Sequence, residues 1–217
     1  SRAAAGQLLV RGTAQGVRAA LEVDLENLAR FAFRGGSPPL RGERSASSSS
    51  LVELMKTLLL LRHAKSSWKD PALPDRLRPL NRRGQAAALA MGRLLEQEGL
   101  WPELILCSSA ERTRLTCERL LKASSQTIPV QFRDELYHST AEGISRVLQE
   151  TANSIARVMV IGHNPELAEF LADVAGYTEK FPTAGLAVLT IDFDDWSELR
   201  PRQPMTLDRL WRPRDLE

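Results

Sequence analysis

The sequence predicts an α/β fold: three layers, with helices on both faces of a central, mostly parallel sheet. Three observations lead there. Strand-like and helix-like segments alternate over about 160 residues from Met55 onward. Leu58–Leu61 and Val158–Ile161 are apolar without alternation, as in strands covered on both faces. Polar and charged residues follow directly on three of the strands, where open α/β sheets bind ligands.

The elements follow in order. Met55–Leu61 reads as a buried strand ending in Arg62-His63. Lys65 to Asn81 is a long connection with Pro71, Pro74 and Pro79. Asn81 has the residue type of an N-cap, and Ala86, Ala87, Leu89, Ala90, Leu94 and Leu95 mark a helix that stops near Gly99. Leu104–Cys107 is the next strand, and a helix from about Ala110 to Ala123 follows it. Ile128–Phe132 is a short strand. Ala141–Asn153 is a helix with Ile144, Val147 and Leu148 on its apolar side. Val158–Ile161 is a strand ending in Gly162-His163, and Pro165 opens a helix. Gly185–Phe193 is a strand and Thr206–Trp211 an edge strand, so a mixed sheet is expected.

Residues 1–54 differ from this pattern. Val17–Phe33 has amphipathic helical spacing, Gly35–Pro39 breaks it, and Arg41–Ser50 is rich in Ser and charge. A disordered or weakly helical extension with a Ser-rich linker is expected there. Arg2, Arg11 and Arg18 suit a transit peptide, whereas Glu22, Asp24 and Glu26 do not. Residues 55–217 are expected to form the functional domain.

Bulk composition narrows the function by exclusion. Of 217 residues, 43% are hydrophobic and 26% charged, enough for one domain with a full core. The net charge of +2 argues against nucleic acid or a lipid surface as partner. No apolar run reaches the roughly 18 residues of a membrane span. The two cysteines, Cys107 and Cys117, suit reduced thiols and a cytoplasmic setting better than a disulfide framework. A monomer is expected.

Two His and two Arg at three strand ends can converge on one dianion. Arg62 and Arg112 are permanently charged forks that bind phosphate oxygens in bidentate fashion. Imidazole has an ordinary pKa near 6.5, so a neutral His63 can attack phosphorus. A second His can donate to an equatorial oxygen. With these cations present, neither a metal nor another cofactor is expected. The three histidines also lack a zinc-like spacing.

Leu61-Arg62-His63-Ala64-Lys65-Ser66-Ser67-Trp68 resembles the opening motif of the histidine phosphatase superfamily. Ser108-Ser109-Ala110-Glu111-Arg112-Thr113 resembles its second-strand Arg motif. Gly162-His163-Asn164-Pro165 resembles its late His motif, in the form of the small SixA-type phosphohistidine phosphatases. Asp75-Arg76-Leu77-Arg78-Pro79-Leu80-Asn81 and Phe181-Pro182-Thr183-Ala184 are similar to the same subfamily. The likeness runs from about residue 55 to the end. It implies a phosphoglycerate mutase-like fold without a large lid insert. It also implies His63 as the phosphorylated nucleophile, Arg62, Arg112 and His163 around the phosphate, and Ser66 as a further donor. Glu135 best matches the position of the family's proton donor; Asp70 and Asp75 are the fallback positions. The substrate it implies is a phosphohistidine-bearing protein, with small phosphoesters or low-turnover phosphate binding as alternatives.

Arg62-His63 alone could be a surface pair, Arg112 an exposed helix residue and Glu135 a solvated acid. Cys107 precedes Arg112 by one residue too few for a cysteine-phosphatase loop, and no glycines line the turn, so Cys107 reads as a small core residue.

Overall fold

The computed structural model describes residues 55–216; the predicted extension and linker over residues 1–54 lie outside them. In chain order the elements are β1 (Lys56–Arg62), α1 (Arg82–Gln97), β2 (Leu104–Ser108), α2 (Glu111–Leu121), β3 (Val130–Arg133), α3 (Ala141–Gln149), β4 (Arg157–Gly162), α4 (Glu166–Ala175), β5 (Leu186–Ile191) and β6 (Thr206–Trp211). Short 3-10 turns at Asp75–Leu77, Asp134–Leu136, Trp196–Glu198 and Pro213–Leu216 join them.

The strands form one sheet in the order β3-β2-β4-β1-β5-β6. β1, β2, β3 and β4 are mutually parallel, and β5 runs against both its neighbours. The mostly parallel, mixed sheet is as the sequence predicted. The four leucines Leu58–Leu61 are fully buried in β1. Alternation splits them between two cores. Leu59 and Leu61 meet Met91 and Leu95 of α1 and Leu120 of α2. Leu58 and Leu60 meet Ile144 and Leu148 of α3 and Phe170 and Leu171 of α4. Burying each such side chain contributes about 2 kcal/mol. An apolar run without alternation therefore has a physical cause here: both faces of the central strand are covered.

Local signals hold where they are local. Asn81 caps α1, its side-chain oxygen accepting from the Gly84 amide at 2.8 Å. Gly176 ends α4 in the left-handed conformation. The helix expected over Ala141–Asn153 stops at Gln149. Tertiary contacts take the chain away at that point. The Asn153 side chain accepts from the Trp196 amide at 3.1 Å, and its carbonyl accepts from Lys56 Nζ at 2.6 Å.

Helices α1 and α2 approach closely at Gly92. A Cβ there would lie 2.3 Å from the Leu120 carbonyl oxygen, which is backbone and cannot swing aside. Gly92→Ala should therefore destabilise the domain by about 1–3 kcal/mol, the usual cost of overpacking. Chemical denaturation measures it; a loss below about 0.5 kcal/mol would mean that the two helices separate freely.

Candidate active site

The site is assembled by strand register. Arg62 of β1 lies opposite Gly162 of β4. One residue beyond each stands a histidine, so His63 and His163 emerge side by side with ring centroids 5.1 Å apart. The His63 amide donates to the Gly162 carbonyl at 3.0 Å, which extends the pairing past the strand. On the other side of β4, Cys107 of β2 lies opposite Ile161. The next residue, Ser108, reaches His163 Nε2 with its hydroxyl at 2.8 Å.

Arg112 comes from the first turn of α2, and the turn before it is tied down. Thr113 donates to the carbonyls of Ser108 and Ala110 at 2.8 and 2.6 Å. Thr116 donates to the Arg112 carbonyl at 2.6 Å and accepts from the Ala64 amide at 3.0 Å. That buried hydroxyl links the helix carrying Arg112 to the residue after His63.

His63 is buried, and its Nδ1 lies 2.8 Å from the Ala64 carbonyl. A carbonyl only accepts, so Nδ1 carries the ring proton and Nε2 carries the lone pair. Burial, aided by the charges of Arg112 and Arg62, lowers the His63 pKa to about 4. His163 is pushed down to about 2 by burial, with His63 and Arg112 adding to the effect. Both rings are neutral at pH 7. The Ser108 hydroxyl has no other acceptor among the described residues, so its proton goes to His163 Nε2 and the ring proton sits on Nδ1. That Nδ1 is buried and has no partner among the described residues.

Arg62 donates from Nη1 to the Phe181 carbonyl at 2.8 Å, while its Nε is buried without a partner. Burial lowers its pKa, though a guanidinium stays charged. Two buried donors, Arg62 Nε and His163 Nδ1, thus stand at adjacent strand ends without acceptors. Buried donors are rarely left unpaired, and an oxyanion would satisfy both.

Arg112 is buried and engages the loop after β1. Its Nη1 donates to the Asp75 carbonyl at 2.8 Å and pairs with the Asp75 carboxylate at 3.0 Å. Tyr137 donates to the same carboxylate oxygen at 3.2 Å, and Arg78 approaches the other at 3.5 Å. Partial burial alone would raise the Asp75 pKa. Arg112, Tyr137 and Arg78 outweigh it and hold the carboxyl below its ordinary value. The Tyr137 ring stands edge-on to His163, with centroids 5.6 Å apart.

The structure thus brings Arg62, His63, Arg112 and His163 together. Ser66 lies at the root of the β1–α1 loop, bridged to Leu80. Glu135 is not brought to this group. Its carboxylate is held by Arg133 at 3.3 Å, and Arg133 also binds Glu150 at 2.6 Å. The Arg133 hydrogen bond also keeps the Glu135 carboxyl below its ordinary pKa. The segment after β3 does reach the site through Tyr137, whereas the Glu135 carboxylate is turned to Arg133. Sequence reasoning missed the parts played by Ser108, Thr116 and Tyr137. For Ser108 a signal existed, since it ends a buried strand one residue past an apolar run. Among the described residues, no His, Cys, Asp or Glu side chains gather in threes as a metal site, and no helix is long and apolar enough to cross a membrane.

The sequence profile of the histidine phosphatase superfamily (branch 1) matches residues 58–145. An uncharacterized chloroplastic protein of Arabidopsis thaliana is 31% identical over 169 residues, covering 74% of this chain and 78% of its own. Among solved structures, a protein from Agrobacterium tumefaciens provisionally assigned as the phosphohistidine phosphatase SixA is 30% identical. It superposes with a TM-score of 0.63 over 73% of this chain and 98% of its own. A protein from Nakamurella multipartitia with the same provisional assignment is 25% identical, with a TM-score of 0.65 over 73% and 96% of the two chains.

In phosphate-free buffer the rings of His63 and His163 should stay neutral at pH 5.5, read from imidazole nitrogen shifts by NMR. Their folded values lie below the ordinary 6.5. The unfolded chain therefore binds more protons below pH 6.5, and stability present above that pH is lost as pH falls toward 4. Rings that titrate near 6.5, with stability flat over that range, would contradict the burial argument.

Proposed function

This chain belongs to the histidine phosphatase superfamily, and we propose that it is a phosphohistidine phosphatase working through a phosphoryl group carried on His63. The Nε2 lone pair of His63 forms a bond to phosphorus as the bond from phosphorus to the substrate nitrogen breaks. The electron pair leaves on that nitrogen, in a ring already protonated at its other nitrogen. Water then attacks phosphorus, the Nε2–phosphorus bond breaks, and orthophosphate is released. Arg62 and Arg112 neutralise the oxygens on which charge spreads. His163 donates from Nδ1, held in that tautomer by Ser108.

One observation carries the choice of substrate: the carboxylate at the site, Asp75, is held ionised, and Glu135 is engaged elsewhere. An alcohol leaving as alkoxide needs a proton, and general acid catalysis typically contributes about 10²–10⁴-fold. An imidazole leaving group takes its proton from solvent beforehand. The likeness to the two SixA structures supports the same reading. So does the short connection between β2 and β3, where α2 alone intervenes among the described residues and no inserted domain limits the substrate to a small molecule. We assign the activity to residues 55–217.

Turnover should therefore rise steeply with leaving-group quality. Phosphoramidate and phosphohistidine protein should exceed alkyl phosphates in kcat/KM by at least about 100-fold, the lower end of what an acid would supply. Residues 55–217 alone should show the same ratio. Alkyl phosphates cleaved within about tenfold of phosphoramidate would require a proton donor that this reading lacks.

A further inference from the structure

Asp75 engages the guanidinium of Arg112, one of the two arginines that the phosphate-pocket reading assigns to the phosphoryl oxygens. We infer that Asp75 is an internal counter-ion that competes with the phosphoryl group for Arg112 and so limits how tightly the pocket holds a free dianion, the orthophosphate product above all. The inference rests on reading the site as a phosphate pocket, and it deepens that reading.

Four observations converge on it. Arg112 is almost wholly buried, with 10% of its side chain exposed, yet half of the Asp75 side chain is exposed, at 48%. The carboxylate can swing into water while the guanidinium cannot leave. Second, the Asp75 carbonyl also accepts from Arg112 Nη1, at 2.8 Å. The arginine thus stays oriented by a neutral partner when the charged one departs. Third, Tyr137 and Arg78 hold the carboxylate on its other sides, at 3.2 and 3.5 Å. Both groups lose that acceptor when Asp75 moves. Fourth, both histidines are neutral, so Arg62 and Arg112 supply the fixed positive charge beside His63, and Asp75 cancels part of it.

The consequence is selective. A phosphoryl group in transfer spreads charge over three oxygens and can displace one half-exposed carboxylate from Arg112. Free orthophosphate presents the same oxygens but gains no bond to His63. A like charge close to Arg112 lowers its affinity and helps it leave. Without Asp75, two unopposed guanidinium groups would retain the product.

The test is the inhibition constant of orthophosphate, with tungstate binding by calorimetry as a readout that needs no turnover. Asp75→Asn should bind both anions about tenfold more tightly or better, a change of about 1.4 kcal/mol, and kcat should fall as release slows. Glu142→Gln, which removes one acid from the outer face of α3, should leave both constants within about twofold. Thermal melting of each variant confirms folding, and the anion measurements are made below that temperature. Unchanged or weaker anion binding in Asp75→Asn would overturn the proposal. A fall in kcat with unchanged anion affinity would also overturn it, because Asp75 would then act on protons. Binding of neither anion, to the wild type or to Asp75→Asn, would instead overturn the phosphate-pocket reading itself.

Discussion

Everything at this site depends on the register of three adjacent parallel strands. Leu61, Ile161 and Cys107 lie level across β1, β4 and β2. The chain therefore leaves the sheet at one height in three places, and the next residues supply His63, His163 and Ser108. A shift of one residue in any strand would turn its side chains to the opposite face. The buried leucines of β1 oppose such a shift, because each would exchange one packed core for the other. Packing far from the chemistry thus sets the separation of the two imidazoles.

Burial then determines the charge state. Both histidines are driven neutral by desolvation, which leaves a lone pair on His63 Nε2 and a donor on His163 Nδ1. The positive charge comes from guanidinium groups, which burial cannot neutralise. The division of labour follows from chemistry: imidazole supplies a nucleophile that can be uncharged, and arginine supplies charge that persists. Hydrogen bonds to Ala64 and Ser108 select which nitrogen of each ring faces the work. Asp75 completes the balance from a loop that folds back over the strand ends, and its ionised state is what directs the proposed chemistry toward a nitrogen leaving group.

The parts legible in the sequence were those encoded locally. Four consecutive leucines announce a strand buried on both faces, and Asn81 announces the start of α1. The Arg62-His63 and Gly162-His163 pairs announce ligand-binding strand ends. What stayed hidden depends on distant pairings. Arg133, which Glu150 engages from further along the chain, holds Glu135 in a surface network, and residues 128–135 alone do not announce that contact. The return of Asp75 onto Arg112 depends on a loop closed by the Ser66–Leu80 bridge and by Arg76, which binds Ser109 and Asp134. The early end of α3 depends on Trp196, more than 40 residues further on, whose indole donates to the Ile155 carbonyl at 2.7 Å. In each case a tertiary contact overrides a local propensity.

In the proposed reaction His63 attacks through Nε2, because Nδ1 is committed to the Ala64 carbonyl. Rapid quench of the protein during turnover of phosphoramidate, followed by alkaline digestion and chromatography of the phosphohistidine isomers, tests it directly. Phosphate should appear on the Nε2 position of His63 alone, and none in His63→Ala. Phosphate on Nδ1, on His163 or on Cys107, or unimpaired turnover by His63→Ala, would contradict it.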